Sequence, residues 1–339
     1  MAGSAKKHLV VPIFIPFAGC PHKCIFCEQK KISGVSDQTE ILETLDIAVS
    51  SPYFYDIENR EIAFYGGTFT NLPLKTMEEM LLSVLPYVKS GKFKSIRIST
   101  RPDAINDDIC ALLKDKGVRT VEIGVQSMND NVLMQAGRGH KAVDTSRAME
   151  LLHKYDFISG VQLMPGLPGD SLKLFMDTIA DIIALKPDLA RIYPVVVIKG
   201  TGLSEKFYEG CYKPLELDEA VVWCAEAATK LEERGVKVIR IGLMESLSLS
   251  KENNVIAGPY HPAFGHMVRS LQYHKRIEKY LKKSPWKKGY VLVNKNELAL
   301  FCGYKNDGIM RASDALQAEI AGVRGDINIR PGTIFFEER

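Results

Sequence analysis

The sequence predicts an α/β fold with a parallel sheet, and three observations support this class. Strand and helix patterns alternate from residue 9 to about residue 242, which is the order expected of successive βα units. The predicted strands are apolar and β-branched with little strict alternation, as in parallel strands that are covered on both faces. The 339 residues, 46% of them hydrophobic, allow either two domains or one barrel with an addition.

The number of units fits an open, partial barrel as well as a doubly wound sheet. Six βα units occur in series and a seventh helix and strand follow, fewer than the eight units of a complete TIM barrel. Because the motif positions described below favour the barrel, we expect a partial (β/α)6 TIM-like barrel over residues 1–242. Residues 243–339 begin with a polar, Ser-rich segment and are expected to form a small C-terminal α/β extension.

The individual elements follow from the periodicity of the apolar residues. Strands are predicted at 9–15, 61–65, 94–99, 120–126, 159–164, 189–197 and 236–241. Helices are predicted near 38–50, 74–89, 104–116, 128–135, 142–155, 171–185 and 216–234. In the extension we expect a helix after Pro262, a strand at 289–294, helical segments near 296–302 and 311–321, and a final strand near 326–336.

Short polar and glycine-rich motifs directly follow several predicted strands. They are the cysteines after the first strand, Gly66-Gly67-Thr68, Ser99-Thr100-Arg101, Gln126-Ser127 and Met164-Pro165-Gly166. Barrel enzymes carry their active sites at this carboxyl end of the strands. The positions of these motifs therefore favour the barrel and predict one shared site.

Three cysteines dominate that site. Cys20, Cys24 and Cys27 form a Cys-x3-Cys-x2-Cys loop after the first strand, and thiolates this close together can converge on one soft-metal site. Most protein iron–sulfur clusters take four cysteine ligands. Three cysteines would leave one iron without a protein ligand, so the loop predicts an enzyme with a site-differentiated cluster.

Two other interpretations of the cysteine loop are weaker. The thiolates could hold zinc with His22 as a fourth ligand, but structural zinc sites usually combine two separated ligand pairs. A lipoprotein signal ending at Cys20 would contain Pro12 and Pro16, and cleavage there would not explain the other two cysteines. The remaining cysteines are scattered singly and are expected to be small buried hydrophobes: Cys110, Cys211, Cys224 and Cys302.

Charge and hydropathy limit the kinds of partner that the sequence allows. The net charge of +3 is too small to imply a polyanionic partner by itself, and no apolar run is long enough to span a bilayer. We expect a cytoplasmic protein, because clustered free cysteines favour a reducing compartment. Residues 261–295 nevertheless combine many cations with tyrosines and a tryptophan, which suits contact with RNA phosphates and bases; the alternative is a solvated helix face.

The cysteine triplet, with Phe26 before its last member, resembles the signature of the radical S-adenosylmethionine (SAM) superfamily. An ordered series of further motifs over residues 9–245 resembles the radical domain of the elongator catalytic subunit, a tRNA wobble-uridine modifying enzyme. The series consists of FYGGTFTNLP, STRPDAI, VEIGVQSMNDNVL, GRGH, VQLMPGLPGD and YPVVVIKGTGL. Oxygen-independent coproporphyrinogen oxidase shares its looser features.

The resemblance implies an oxygen-sensitive enzyme with a 4Fe-4S cluster on Cys20, Cys24 and Cys27 and with SAM as its second cofactor. It implies an electron donor such as flavodoxin or ferredoxin. The residues expected to contact SAM are Phe26, Gly66, Gly67, Thr68, Arg101, Gln126, Arg138, Met164 and Gly166. Thr68 stands where much of the superfamily has Glu. His140 and His261 are the substrate acid or base candidates, although a helix cap explains His140 equally well.

The implied function is radical chemistry on RNA or tRNA. Residues 243–339 show no acyl-CoA-binding pattern, so we do not expect the acetyl-dependent reaction of the elongator subunit. The alternatives are radical oxidation of a small molecule such as a porphyrinogen, and a non-catalytic iron–sulfur protein that binds RNA. The sequence does not indicate the oligomeric state.

Overall fold

A computed structural model describes residues 8–34, 40–244, 249, 254–281 and 287–338, and its centre is a parallel sheet. The strands are β1 (His8–Phe14), β2 (Asn59–Tyr65), β3 (Ser95–Thr100), β4 (Val118–Gln126), β5 (Ile158–Leu163), β6 (Leu189–Ile192) and β8 (Lys237–Ile241). They pair in chain order from β1 to β6, and β8 follows β6. The sheet curls into a half-barrel, which confirms the predicted partial-barrel class.

Helices connect the strands, and most of them pack against the convex side of this sheet. They are α1 (Gln29–Ser33), α2 (Ile41–Ser50), α3 (Leu74–Lys89), α4 (Asp107–Asp115), α5 (Asp130–Gln135), α6 (Ala142–Lys154), α7 (Leu172–Ala184), α8 (Gly202–Tyr208) and α9 (Leu217–Glu233). In α7, Phe175, Ile179 and Ile182 are fully buried at helical spacing, as expected of a core-facing stripe. The Ser171 hydroxyl accepts from the Leu174 amide and caps that helix, a common way to begin a helix.

The predicted strand at 189–197 is wrong in one respect, because two strands occupy this stretch. β6 ends at Ile192, and β7 (Val197–Ile198) pairs antiparallel with β9 (Val255–Ala257) outside the main sheet. Pro194 lies between them and has no amide proton for a strand ladder. The predicted first helix at 38–50 begins at Ile41, and residues 35–39 lie outside the described residues.

The extension has its own small core. Helix α10 (Phe264–Ile277) buries Phe264 and Val268 in the core of the barrel, whereas Tyr273 and Ile277 belong to the second core. The other elements are β10 (Lys288–Asn294), α11 (Leu298–Cys302), α12 (Asp307–Leu316), β11 (Glu319–Asp326) and β12 (Ile334–Glu338). The division into residues 1–242 and 243–339 stays a prediction, and most of the Ser-rich segment after residue 244 lies outside the described residues.

The end of the chain differs from its prediction. The helix predicted through residue 321 ends at Leu316, because Gln317 takes a left-handed conformation with φ of 50°. The single strand predicted near 326–336 is two strands on either side of β10, with β11 parallel and β12 antiparallel. Within the described residues, no helix has the length and apolar character needed to cross a membrane.

Candidate active site

A large cavity occupies the concave face of the half-barrel and is here called the lumen. Its volume is about 1250 Å³, and it runs from the three cysteines to the amino ends of the strands. Most of the SAM-binding candidates line it, namely Phe26, Gly66, Gly67, Thr68, Arg101, Gln126, Arg138 and Met164. The parallel strands explain this convergence, since their carboxyl ends meet at one edge of the sheet.

The cysteine loop (residues 15–28) and the glycine turn (residues 66–68) interlock through their backbones. The Thr68 amide donates to the Ala18 carbonyl at 2.7 Å. A Cβ at Gly67 would lie 2.2 Å from that carbonyl oxygen, and one at Gly19 would lie 2.3 Å from the Thr68 carbonyl oxygen. Both glycines have positive φ, so this close approach requires residues without a side chain.

The three thiols share one environment at the mouth of the lumen. The Cys20 Sγ lies 3.5 Å from the Thr68 Oγ1, and the Arg138 Nη1 donates to the Cys24 Sγ at 3.2 Å. Burial, followed by the charges of Cys24 and Cys20, raises the pKa of Cys27 to about 12. Three thiolates this close therefore need cationic compensation, which the irons of a cluster provide.

His22, the fourth ligand of the zinc interpretation, has a backbone partner in this structure. The His22 Nε2 lies 2.8 Å from the Arg138 carbonyl oxygen, and the ring packs over Gly139. In the part of the chain that the structure describes, no three His, Cys, Asp or Glu side chains are arranged around a single metal ion. A cluster places different demands on its thiolates, because each binds a separate iron.

The other cysteines follow the prediction only in part. Cys110 and Cys224 are fully buried, as expected of small hydrophobes. Cys302 is partly exposed and Cys211 is exposed, so the prediction of four buried cysteines is wrong. Cys211 lies in the segment between α8 and α9, where its Sγ faces a backbone carbonyl at 3.8 Å.

Two side chains of the lumen have buried polar atoms without a protein partner. The Gln126 Oε1 and the Arg138 Nε are both of this kind. The other Arg138 nitrogens bond to the Gly124 carbonyl oxygen at 2.6 Å and to Cys24. Because buried polar atoms are nearly always hydrogen-bonded, these two fit a site that is completed by a polar ligand beside the thiols.

Arg101 has an acidic partner of its own. Its Nε and Nη2 bond to the two carboxylate oxygens of Asp103 at 2.9 and 2.7 Å, and its side chain is 6% exposed. Its Nη1 lies 3.4 Å from the His22 ring. The guanidinium of Arg101 thus lines the lumen in a position that Asp103 fixes. Its contact with SAM stays a prediction.

The turn after β5 places its two candidates in different cavities. The Met164 amide donates to the Gln126 carbonyl, and Met164 lines the lumen. Gly166 faces a separate cavity of about 220 Å³ with Asp170 and Tyr212. The Gly166 amide donates to the Asp170 carboxylate at 3.0 Å, and its carbonyl accepts from the Tyr212 hydroxyl at 2.6 Å. These bonds fix the turn on the side away from the lumen, and the contact of Gly166 with SAM stays a prediction.

Neither histidine candidate lines the lumen. His140 is 4% exposed, and burial, followed by the charges of Arg138 and Arg101, lowers its pKa to about 3. The His261 Nδ1 accepts from the Ala263 amide at 3.0 Å, and its ring packs edge-on against Tyr304. These contacts assign His261 to the start of α10, and the role of either residue in catalysis stays a prediction.

Sequence reasoning missed a buried ionic network that crosses the lumen. Arg97 bonds to Glu61 and Glu122, and Arg191 bonds to Glu122 as well. The hydroxyl of Tyr65 accepts from Arg191 at 2.7 Å. A signal was present, because charged residues are rare in buried strands, yet β2, β3, β4 and β6 each contribute one to this network. Sequence alone does not show which strands are neighbours.

Comparison with known proteins identifies this arrangement. The family model described as the radical SAM superfamily matches residues 14–182, and the model of the Radical_SAM C-terminal domain matches residues 187–273. The chain is also 30% identical over 228 residues to an uncharacterized protein of Methanocaldococcus jannaschii, covering 64% of this chain and 70% of that protein. The chain belongs to the radical SAM superfamily. This superfamily uses a 4Fe-4S cluster and SAM.

Two further similarities concern elongator-type proteins. The chain is 35% identical over 253 residues to the tRNA uridine(34) acetyltransferase of M. jannaschii, covering 62% of this chain but only 47% of that protein. It thus spans about half the length of this relative. The solved structure of archaeal Elp3 from Methanocaldococcus infernus superposes with a TM-score of 0.61 at 23% identity, over 79% of this chain and 62% of that one, which shows a shared fold.

Proposed function

We propose that this chain is a radical SAM enzyme that acts on a nucleobase of RNA, with tRNA as the favoured substrate. The observation that carries the substrate class is the similarity of the chain to a tRNA uridine(34) acetyltransferase. When bound at the three thiols, the cluster and SAM supply a 5′-deoxyadenosyl radical by reductive cleavage of SAM, with electrons from a donor such as flavodoxin or ferredoxin.

The chain's own residues bind and orient these groups. Cys20, Cys24 and Cys27 would each hold one iron, and the open backbone of the glycine turn would receive the methionine end of SAM. The Nε of Arg138 and the Oε1 of Gln126, which have no protein partner, are suited to hydrogen-bond the cofactor. Phe26 is buried and lines the same cavity, where it would help to exclude water.

The lumen suits a substrate with anionic groups, because its lining contains more cations than acids. Arg97 and Arg191 bond to Glu61 and Glu122, and Arg101 bonds to Asp103. Arg119, Lys237 and Arg240 also line the lumen, and phosphate groups of RNA would find cations there. The carboxylates of a porphyrinogen would use the same cations, so the preference for RNA rests on the similarity to the tRNA uridine(34) acetyltransferase.

The basic segment contributes less RNA-facing surface than its sequence predicts. Its cations Arg269, Arg276 and Lys288 pair with Glu232, Glu297 and Glu319 respectively. Tyr273 and His274 are buried. Exposed cations and one exposed aromatic ring remain for RNA contact, namely Lys275, Lys279, Tyr280, Lys287 and Lys295. Lys282, Lys283 and Trp286 lie outside the described residues.

The formation of 5′-deoxyadenosine tests this proposal. Reconstituted protein is incubated anaerobically with SAM and dithionite, with bulk tRNA or with heparin as a matched polyanion without bases. We expect tRNA, and not heparin, to increase the product. A yield that tRNA leaves unchanged would transfer the assignment to a small-molecule substrate. No product from fully iron-loaded protein would favour the non-catalytic RNA-binding alternative.

A further inference from the structure

One side chain joins the two halves of the cofactor site. Gln29 begins α1, two residues after Cys27, and its Oε1 accepts the amide of Gly67 at 2.8 Å. The same oxygen accepts the amide of Phe17. These donors lie 38 residues after and 12 residues before Gln29 in the chain. Gln29 therefore bonds the beginning of the cysteine loop to the glycine turn.

The amide group of Gln29 also affects a cluster ligand. Gln29 lines the lumen, and its amide group lowers the pKa of the Cys27 thiol against the larger raising effect of burial. One planar amide thus bonds to the loop and to the glycine turn two residues away from a cluster ligand. Hydrogen bonds to the sulfurs of an iron–sulfur site are among the factors that set its reduction potential.

Both residues whose amides donate to Gln29 have a positive φ. Phe17 has a φ of 60° and Gly67 a φ of 58°. A left-handed conformation is unfavourable for a residue with a bulky side chain and persists only when the surroundings enforce it. The bond from the Phe17 amide to Gln29 is one such constraint. Without it, the loop would be held against the turn by backbone bonds such as the one from the Thr68 amide to the Ala18 carbonyl.

A helix-capping role does not account for these contacts. A capping side chain satisfies the first amides of its own helix, whereas both donors here belong to other segments. A role confined to packing would not require an oxygen placed between two backbone amides.

We propose that Gln29 is a positioning residue that fixes the cysteine loop against the glycine turn. It thereby keeps the thiols at a constant position relative to the backbone that would bind SAM. Loss of its oxygen would leave two backbone amides without their acceptor. Replacement of the amide by a carboxylate would keep that acceptor and add a negative charge near Cys27. The two functions can be separated by substitution.

The test compares Gln29→Leu and Gln29→Glu with the control Gln272→Leu, which removes an amide that bonds to Thr229 and Glu232 far from the cysteines. Iron retention against a chelator, SAM affinity and the reduction potential of the cluster are measured on reconstituted protein. We expect Gln29→Leu to lose about 10- to 100-fold in cluster affinity, the usual effect of removing a group that orients metal ligands, and to bind SAM more weakly.

Gln29→Glu should retain iron, because a carboxylate can still accept both amides, but its reduction potential should become more negative. Gln272→Leu should match the wild type in all three measurements. Wild-type iron retention and SAM affinity in Gln29→Leu would overturn the proposal, and so would an unchanged potential in Gln29→Glu. If Gln29→Leu does not fold, Gln29→Glu decides. No assay includes RNA, so the result is independent of the proposed substrate.

Discussion

Replacement of Cys24 by alanine is expected to abolish both cluster retention and 5′-deoxyadenosine formation. Cys24 is buried and bonded to Arg138, and its loss would leave two thiolates for a cluster that in this fold has three. Iron and sulfide analysis with an anaerobic SAM-cleavage assay measures the effect. The matched control is Cys211→Ala, which removes an exposed thiol and should leave cluster and turnover unchanged.

The same variant separates an enzyme from a non-catalytic binder. If the chain is an enzyme, Cys24→Ala loses turnover together with the cluster. A stable cluster in Cys24→Ala would contradict the assignment of the ligands. Full RNA affinity without a cluster, in a protein that never cleaves SAM, would favour the binding alternative.

Replacement of Arg97 by methionine is expected to lower the free energy of unfolding by about 3–5 kcal/mol, the usual effect of removing one partner from a buried ionic network. The Arg97 side chain is 4% exposed and its Nη1 lies 2.6 Å from Glu122. The change would leave Glu61 without its main cationic partner in the sheet. Urea denaturation of the apoprotein measures it. Arg147→Met, at an exposed pair 4.0 Å apart, should cost less than about 1 kcal/mol.

The pH dependence of stability provides an independent readout of this network. Burial raises the pKa of Glu61, but the bonds from His8 and Arg97 outweigh this and lower it to about 2. A lowered pKa stabilises the fold above the unfolded-state value and is lost as pH falls through the folded value. The wild type should therefore lose stability between about pH 4.5 and pH 2. In Arg97→Met the pKa of folded Glu61 should lie closer to its unfolded value, so the loss over this range should be smaller; a loss of the same size would contradict the role of Arg97.

The sequence predicted the half-barrel and the position of the site because both depend on local patterns. Apolar strands can be predicted directly from runs of apolar residues, and the motifs at their ends converge in any parallel sheet. Cys20, Cys24 and Cys27 lie within one loop, so their spacing alone indicated a shared site. The candidate SAM contacts came from the resemblance, and all except Gly166 line the lumen.

What the sequence did not predict depends on distant pairing. Arg97 meets Glu122 only because β3 and β4 are neighbours, and Gln29 meets Gly67 only because α1 lies beside the end of β2. The strand near the end of the chain was misjudged for a similar reason, since β11 and β12 both pair with β10 and do not form one long strand. Partially exposed segments with weak periodicity carry little information about such pairing.

The central claim is that the cysteine site carries a cluster with one iron open to SAM. Electron paramagnetic resonance of the dithionite-reduced, fully iron-loaded protein, recorded with and without SAM, tests it most directly. We expect the signal of the reduced cluster to change on addition of SAM, because the cofactor would bind the iron that has no cysteine ligand. A reduced 4Fe-4S signal that saturating SAM leaves unchanged would contradict the account.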